Sequence, residues 1–382
     1  MKITGIICEY NPLHRGHAKQ ISQISALQGE DSGIVCLMSG NYVQRGQPAI
    51  FDKSHRAAAA LACGADLVLE LPVTCSLSSA EGFAAKGVSI LSPFCDTLCF
   101  GAETPDPQRL MQTAAILLSP EFSSALRKEL DSGKSFPAAR QDALAAMGSS
   151  DFAPTLPNDI LAVEYCKAIL SQDSAMQPLV IHRAGSYHDT SADPDNPSAT
   201  FLRQQLLSGA DWKSYVPEAA VPFLQQASLH AIDAGERAIL VRLRTMIDDE
   251  FEALPYGSEG LWRKLMHNCR SCGTLEEILT ATKSKRYTRT RLDRMVMCAF
   301  LGITAQMLDA PVPYVRVLAL NSKGREILKI ARESGAFPHI GEPMPHSYWD
   351  LERRCDDLYG LFALNAPESA GTAQGRRITI QT

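Results

Sequence analysis

The sequence predicts an α/β fold in which a doubly wound parallel sheet is followed by a mainly helical C-terminal region. Three observations support this. Short apolar runs alternate with helix-like segments up to about residue 104, which is typical of parallel strands joined by right-handed crossovers. Polar residues gather directly after four of these runs. From about residue 215 onward, the apolar residues recur mainly at helical spacing.

The N-terminal elements follow one another in the order that such a sheet requires. Apolar runs at residues 3–8, 33–38, 66–71 and 97–100 are predicted strands, separated by predicted helices at residues 17–27, 53–63 and 79–91. Residues 106–156 show a helical pattern. Asn158 and Asp159 are then placed to cap a helix that begins at Ile160. A fifth strand is predicted at residues 178–182, and residues 198–203 open another helix.

The C-terminal part is predicted to be mainly helical, with a strand at residues 314–320 and a further helix after Gly324. The tail after Asn365 is rich in Gly, Ala, Ser and Thr, a composition typical of disorder. We therefore expect a catalytic domain at residues 1–210, a helical region at residues 211–365 and a disordered tail at residues 366–382.

The polar clusters at the strand ends predict where the functional site lies. Residues 9–17 follow the first strand and residues 39–45 follow the second, while Glu70 ends the third and residues 101–103 follow the fourth. In open α/β sheets, ligands bind beyond the carboxyl ends of the strands. Four strand ends thus indicate one site at the same edge.

The motif His14-x-Gly16-His17 lies between the first strand and the first helix. The first amides of a helix lack internal partners and its N-terminus is positive, so two imidazoles there can face one polyphosphate. The alternatives are half of a metal site or an ordinary surface pair. The spacing HxGH after a first strand is the signature of nucleotidyltransferases, in which ATP is attacked at its α-phosphate.

Further candidate ligands lie later in the chain. Ser198, Thr200 and Arg203 place hydroxyls and a guanidinium at a helix start, where they suit the β- and γ-phosphates, although the hydroxyls also suit plain helix caps. Gly101 permits close approach of a flat ligand or simply makes a turn. Asn158 and Arg183 are the other candidate nucleotide ligands.

Residues 283–294 carry six positive charges and one negative charge. Such density neutralises phosphates and releases counterions, so this segment predicts nucleic-acid binding rather than a solvated helix face. The candidate residues are Lys283, Lys285, Arg286, Arg289 and Arg291, and Arg325 and Lys329 are possible additions to the same surface.

Bulk properties exclude several protein classes. The net charge of -5 leaves any nucleic-acid surface local, and no apolar stretch approaches the ~20 residues of a membrane span. The eleven cysteines lie mostly in apolar runs and suit a reducing compartment. With no signal peptide recognisable, the expected location is cytoplasmic. His267, Cys269 and Cys272 lack a fourth ligand at zinc-site spacing, and no metal ligands are identified.

With these residues assembled, the chain resembles the bacterial tRNA(Met) cytidine acetate ligase family of HxGH nucleotidyltransferases. The motifs that carry the resemblance are EYNPLHRGH, SGNYVQRGQPAI, FDKSHRAAAALACGADLVLELP, FGAE, PNDILAVEY, RAGSYHD, SATFLR and KRYTRTRLDR. It implies a Rossmann-like, HUP-type sheet. It also implies an enzyme that converts ATP and acetate to acetyl-adenylate, and then acetylates the N4 amine of the wobble cytidine of elongator tRNA(Met).

The resemblance also implies roles for individual residues. His14 and His17 would be catalytic, and Mg²⁺ is expected with ATP; no membrane association or protein partner is evident. Leu13 and Arg15 depart from the common Phe and Asn of the motif. The implied ATP-binding residues are Ile7, Cys8, Glu9, Tyr10, Asn11, Pro12, Leu13, His14, Arg15, Gly16, His17, Ala18, Lys19, Gln20, Gly101, Asn158 and Arg183.

Two other functions compete with this one. A small-molecule adenylyltransferase of the pantetheine-phosphate or nicotinamide-mononucleotide type uses the same HxGH motif, but such chains are shorter and need no basic C-terminal segment. A non-catalytic RNA-binding protein with a degenerate nucleotide site is disfavoured by the intact His14, Gly16, His17 and Arg203.

Overall fold

A computed structural model describes the chain except residues 30, 135, 149–153, 155, 184–192, 194–196, 313, 334–346, 372–377 and 382. The residues after Arg183 in the motif RAGSYHD therefore lie outside the described part. Within the described residues, no helix combines the length and apolar character that crossing a membrane requires.

A seven-stranded sheet organises the fold, in the order β7-β6-β1-β2-β5-β8-β9. Strands β1, β2, β5, β6 and β7 run parallel, β8 runs antiparallel to β5, and β9 pairs parallel with β8. A small antiparallel hairpin is formed by β3 and β4. The strands are β1 (Ile3–Cys8), β2 (Gly33–Ser39), β3 (Tyr42–Val43), β4 (Gln47–Pro48), β5 (Leu67–Leu71), β6 (Thr97–Ala102), β7 (Gln177–His182), β8 (Arg316–Leu320) and β9 (Thr379–Ile380).

Helices cover both faces of the sheet and form most of the C-terminal region. The α-helices are α1 (Arg15–Gln28), α2 (Lys53–Ala62), α3 (Val73–Ser76), α4 (Ala80–Leu91), α5 (Pro107–Leu118), α6 (Pro120–Asp131), α7 (Phe136–Ala146), α8 (Pro157–Ser171), α9 (Ala199–Ser208), α10 (Val221–Gln225), α11 (Glu236–Thr245), α12 (Asp248–Glu252), α13 (Leu261–Ser271), α14 (Leu275–Thr282), α15 (Arg289–Leu301), α16 (Ala305–Asp309), α17 (Ser322–Glu333) and α18 (Ser347–Tyr359). Short 3₁₀ turns lie at Lys213–Tyr215, Glu218–Ala220, Ile232–Gly235 and Gly360–Phe362.

The apolar core is divided by the sheet. On one face, side chains of α4, α5, α8 and α17 such as Phe83 and Val163 pack against the strands. On the other face, α1, α2 and α9 supply residues such as Ile21 and Leu61. A separate cluster of buried apolar side chains, including Leu265 of α13, packs the C-terminal helices together. Burial on both faces explains why the strands read as continuous apolar runs.

A buried cluster of charged residues joins the C-terminal helix α18 to the sheet. The Nζ atom of Lys53 lies 2.5 Å from Glu70 Oε1 and 2.7 Å from Asp356 Oδ2. Arg316 of β8 lies 3.2 Å from the same Asp356 carboxylate. Glu352 accepts the backbone N–H of Val73 at 2.6 Å. Removing one member would leave an uncompensated charge in the interior, so these contacts fix α18 in register with the sheet.

The prediction of a doubly wound, mainly parallel sheet is confirmed, but two details were wrong. The strand predicted at residues 314–320 begins at Arg316 and runs antiparallel at the edge of β5. Disorder was predicted throughout the tail, yet Thr379–Ile380 form β9. The proposed boundary at residue 210 stays a prediction, and the sheet itself contains strands from both sides of it.

Candidate active site

A cleft of about 660 Å³ opens beside the carboxyl ends of β1, β6 and β7. Residues from the polar clusters after the first, second and fourth predicted strands line it, whereas Glu70, expected at the same site, is buried in an ion pair with Lys53 and does not line the cleft. Its lining combines apolar side chains, including Phe83, Leu161 and Tyr165, with imidazoles and guanidinium groups. The predicted ligands that line it are Ile7, Cys8, Glu9, Tyr10, Asn11, His14, Gly16, His17, Lys19, Gln20, Gly101, Asn158, Arg183 and Arg203.

The HxGH turn holds its two histidines against each other. Helix α1 begins at Arg15, two residues before the predicted start, and His14 occupies the N-cap position. The backbone N–H of His14 donates to Nδ1 of His17 at 3.3 Å. The two rings stack with centroids 3.7 Å apart, and the ring of Tyr10 lies 5.0 Å from His17. Both imidazoles therefore sit at the positive end of α1.

The electrostatic state of this pair suits an anion. His14 is buried, and neither of its ring nitrogens has a hydrogen-bond partner among the described residues. Burial, reinforced by Arg183 and Arg203, lowers the pKa of His14 to about 3. Burial and the neighbouring His14 lower the pKa of His17 as well. Unpartnered buried nitrogens beside two guanidinium groups are an unfavourable arrangement that a phosphate oxygen would relieve.

Arg203 reaches the HxGH turn from α9. Its Nη1 atom donates to the carbonyl oxygen of Asn11 at 2.8 Å, and Nη2 donates to the hydroxyl of Thr200 at 3.1 Å. Burial lowers the pKa of this guanidinium, and Glu9 opposes the shift. Ser198 caps α9 by accepting the N–H of Phe201 at 3.1 Å. Neither Ser198 nor Thr200 lines the cleft, so Arg203 is the member of this motif that faces a ligand.

Asn158 and Arg183 form the far end of the cleft. The Nδ2 atom of Asn158 donates to Glu103 at 2.6 Å, and its Oδ1 accepts from Arg183 at 3.4 Å. The predicted cap was wrong, since α8 begins at Pro157 with Leu156 as its N-cap. Gly101 lies beside Arg183, and a β-carbon added there would approach nothing closer than 3.9 Å. The space in front of Gly101 is therefore open to a ligand.

Four residues of the predicted ATP-binding run do not line the cleft: Pro12, Leu13, Arg15 and Ala18. Leu13 is fully buried in the core beneath α1, and Arg15 is exposed. Burial of Leu13 explains why an apolar residue is needed before His14. Because the four side chains do not line the cleft, we expect these residues to support the conformation of the turn and not to contact a ligand.

Arg56 supports the cleft from beneath, although it was not among the residues predicted to form the site. It is fully buried in α2, and its guanidinium donates to the carbonyl oxygens of Glu9 at 2.6 Å, Ser39 at 3.1 Å and Gly40, while Nε donates to Phe51 at 2.8 Å. One side chain thus ties the end of β1 to the end of β2. The available signal was an arginine within the alanine-rich run of α2.

The basic segment at residues 283–291 is less positive than its sequence suggests. Carboxylates from other elements neutralise part of it, because Arg286 lies 2.6 Å from Glu259 and Arg289 lies 2.7 Å from Glu276. Arg289 also lies 2.8 Å from Asp293. Glu259 and Glu276 lie outside the segment in sequence, so the segment alone did not indicate this partial neutralisation; nucleic-acid binding by the segment stays a prediction.

The remaining cations of this segment differ in what they contact. Arg291 donates to the carbonyl oxygen of Tyr256 at 2.8 Å and lies 4.9 Å over the ring of Tyr287. Lys283 and Lys285 are exposed, and neither side chain has an ion pair within the described residues. They are the candidates with charge available to phosphate.

The hairpin loop at residues 43–47 bridges the cleft and helix α15. Gln44 and Arg45 line the cleft, and the backbone N–H of Gln44 donates to Glu9 Oε1 at 2.8 Å. On the other side, Arg294 donates to the carbonyl oxygen of Gln44 at 3.4 Å. Gly46 packs so closely on the backbone of Asp293 and Arg294 that an added β-carbon would lie 2.4 Å from it. The loop is thus fixed from both sides.

Comparison with known proteins agrees with this geometry. The profile of the HIGH Nucleotidyl Transferase family matches residues 1–374. The chain belongs to this family. Similar family members named tRNA(Met) cytidine acetate ligase come from Acetivibrio thermocellus, at 34% identity over 94% of both chains, and from Syntrophomonas wolfei, at 37% identity over 86% of this chain and 84% of that protein.

Two solved structures share this architecture. The apo crystal structure of Thermotoga maritima TmcAL matches with a TM-score of 0.89 at 27% identity, covering 100% of this chain and 99% of that one. The structure of TmcAL bound to alpha-thio ATP matches with a TM-score of 0.87 at 27% identity, with complete coverage of both chains. The architecture described above is therefore shared with both TmcAL structures.

Metal ligands are sparse in the described part of the chain. No group of three or more His, Cys, Asp or Glu side chains is arranged there to hold a metal ion. The eleven cysteines are free thiols.

Proposed function

We propose that the protein is an ATP-dependent tRNA(Met) cytidine acetate ligase. The main support is the environment of His14. This imidazole is buried, and neither of its nitrogens has a hydrogen-bond partner among the described residues. It lies at a helix N-terminus and lines the same cleft as Arg203, in a chain of the HIGH nucleotidyltransferase family. The names of the relatives supply the acceptor and the acyl group. The bound alpha-thio ATP of the Thermotoga structure supports a nucleotide in this cleft.

In the first step, an acetate oxygen attacks the α-phosphorus of ATP and pyrophosphate leaves. Acetate alone is a poor acyl donor because oxide would have to leave, whereas acetyl-adenylate loses AMP readily. The N-terminus of α1 and the side chains of His14 and His17 would stabilise charge on the phosphoryl group as it transfers. Arg203 would hold the departing phosphates, which Mg²⁺ carried on the polyphosphate would also neutralise.

In the second step, the N4 amine of the wobble cytidine attacks the acetyl carbon and AMP leaves. The base must first leave the anticodon stack, as bases of single-stranded loops do when proteins read them. The basic segment at residues 283–291 would contact the RNA backbone, with Lys283 and Lys285 carrying available charge. Elongator tRNA(Met), free acetate and a cytoplasmic location are parts of this proposal.

The deciding experiment incubates the protein with unmodified tRNA(Met), ATP, Mg²⁺ and isotopically labelled acetate, followed by mass spectrometry of the nucleosides. Labelled N4-acetylcytidine is the expected product. If ATP is converted to AMP and pyrophosphate without that nucleoside, the acceptor assignment is wrong and the adenylylating site stands.

A variant separates nucleotide chemistry from RNA binding. His17→Ala should abolish acetate-dependent ATP–pyrophosphate exchange while tRNA binding stays close to wild type, because His17 lies in the cleft and the basic segment lies beyond the hairpin loop. Equal loss of both would assign His17 a structural role. A small-molecule adenylyltransferase would instead show exchange with no effect of tRNA at any stage.

A further inference from the structure

Glu9 is a carboxylate with a special position in the cleft. It is the first residue after β1, and it lies between the HxGH turn and the hairpin loop. Among the described residues lining the cleft, the acidic side chains are Glu9 and Asp193. Phosphate and acetate are anions, so electrostatic attraction to them does not explain a carboxylate at this position. The role of Glu9 needs a separate explanation.

The two oxygens of the Glu9 carboxylate are in different environments. Oε1 accepts the backbone N–H of Gln44 at 2.8 Å. Oε2 has no hydrogen-bond partner within the described part of the chain, and the side chain is only half-buried. One oxygen therefore orients the group, and the other is left to accept a proton or a hydrogen bond from a ligand in the cleft.

The surrounding structure holds this carboxylate firmly. The carbonyl oxygen of Glu9 is bound by the buried Arg56 at 2.6 Å, and Gln44 belongs to the loop that packs against α15. Burial, and then Cys8 and Glu9, raise the pKa of Tyr165, whose side chain lines the same cleft. A group fixed by its own backbone and by a partner loop is preorganised for chemistry.

Its location also connects the two substrates. The phosphate side of the cleft is marked by His14 and Arg203, and the RNA side is marked by the basic segment that begins before α15. The Gln44 loop touches both Glu9 and Arg294. A base entering from the side of α15 would therefore reach Glu9 next to the hairpin loop.

We propose that Glu9 is a catalytic residue that accepts the proton of the cytidine N4 amine during acetyl transfer, an inference that rests on the proposed function. The N4 lone pair forms the C–N bond to the acetyl carbon, and the acetyl C–O bond to AMP breaks, with its electron pair leaving on AMP. The proton lost from nitrogen passes to Oε2 of Glu9 and then to water. No further reactant is required.

Glu9→Gln is the sharpest variant, because the amide oxygen still accepts the Gln44 N–H while the basic carboxylate is removed. Two rates are compared: acetate-dependent ATP–pyrophosphate exchange, and single-turnover transfer from enzyme-bound acetyl-adenylate to tRNA. A general base typically contributes on the order of 10²- to 10⁴-fold, so transfer should fall by about 10²-fold and by far more than exchange. Glu326→Gln makes the same change at an exposed position of α17 that does not line the cleft; it is the matched control and should leave this ratio unchanged.

Two results would overturn the assignment. Transfer at the wild-type rate in Glu9→Gln would show that no proton goes to Glu9, and an equal loss of exchange and transfer would assign Glu9 to nucleotide or metal binding. If Glu9→Gln does not fold, Glu9→Asp serves instead, with a partial loss confined to transfer expected. Failure of the proposed function is distinguishable, because the wild-type protein would then form no acetylcytidine at all.

Discussion

Arg203 donates a hydrogen bond of 2.8 Å to the carbonyl oxygen of Asn11, across 192 residues of sequence. This contact brings the late phosphate motif onto the turn that carries His14. It also fixes the guanidinium at the cleft wall before any ligand arrives. The two halves of the nucleotide site are therefore held as one preformed unit.

Replacing Arg203 should weaken ATP binding strongly. A charge-assisted hydrogen bond contributes roughly 1.5–3 kcal/mol, so Arg203→Ala should raise the Kd for ATP by about 10- to 100-fold. Arg203→Lys should recover little, because an ammonium cannot reproduce the planar fork. Isothermal calorimetry gives the Kd. Arg237→Ala, at an exposed position on α11, is the control and should bind ATP as the wild type does.

The buried His14 should make stability of the unliganded protein depend on pH. Its pKa is about 3 when folded and 6.5 as a free side chain, so the unfolded state binds more protons between these values. Stability is thus lost as pH falls below 6.5, by about 2 kcal/mol at pH 5. Urea unfolding of the wild type and His14→Asn at pH 7 and 5 tests this. Identical pH dependence of the two proteins would contradict it.

ATP should reverse this behaviour. A phosphate beside His14 favours the imidazolium, so its pKa should rise on binding and the protein should take up a proton. ATP affinity should then increase as pH falls from 8 toward 6. Calorimetry in two buffers with different ionisation enthalpies measures the uptake directly. His14→Asn should show less proton uptake than the wild type, and equal uptake would place the proton elsewhere.

Arg56 should be critical for stability and not only for catalysis. Arg56→Met keeps much of the side-chain volume but leaves the carbonyl oxygens of Glu9, Ser39, Gly40 and Phe51 without this donor. Each buried carbonyl oxygen left without a donor costs roughly 1–3 kcal/mol, so the free energy of unfolding should fall by about 3 kcal/mol or more. Denaturant unfolding gives the change, with Arg325→Met at an exposed site of α17 as control. If Arg56→Met lowers the free energy of unfolding by no more than Arg325→Met does, water takes the place of the guanidinium and this prediction is wrong.

Cations of the basic segment should differ in their effect on tRNA affinity. Replacing Lys283 and Lys285 by Gln should lower the slope of log K against log salt by about one for each phosphate that these side chains neutralise. Arg289→Gln should change the slope less, because Glu276 and Asp293 already neutralise Arg289. Filter binding of tRNA(Met) from low to high salt gives the slopes. An effect of Arg289→Gln equal to that of a lysine would show that RNA displaces the carboxylates.

Local patterns in the sequence predicted the elements that depend on local physics. Strands β1, β2, β5 and β6 are largely buried within a sheet covered on both faces, so their apolar runs were easy to recognise. The HxGH turn was also predictable, because a strand end followed by a helix start has a characteristic composition. The location of the cleft followed from these two features together.

Long-range contacts were not predictable in this way. Nothing near Arg286 or Arg289 in sequence reveals that Glu259 and Glu276 will pair with them. Likewise, the sequence around Arg56 in α2 does not indicate that its guanidinium donates hydrogen bonds at the ends of two strands. Such partners are chosen by tertiary packing, which a local pattern does not encode.

The late strand β8 has a consequence for the order in which the protein matures. Until residue 320 has left the ribosome, the edge of β5 that pairs with β8 carries unpaired backbone groups. The buried ion pair of Lys53 and Glu70 also lacks Asp356, which is synthesised later still. Pairing between segments so far apart in the chain is slow to form. The seven-stranded sheet therefore cannot be completed during early translation, because β8 and β9 must first be synthesised. Synthesis itself thus delays completion of the sheet until the C-terminal helices have been made.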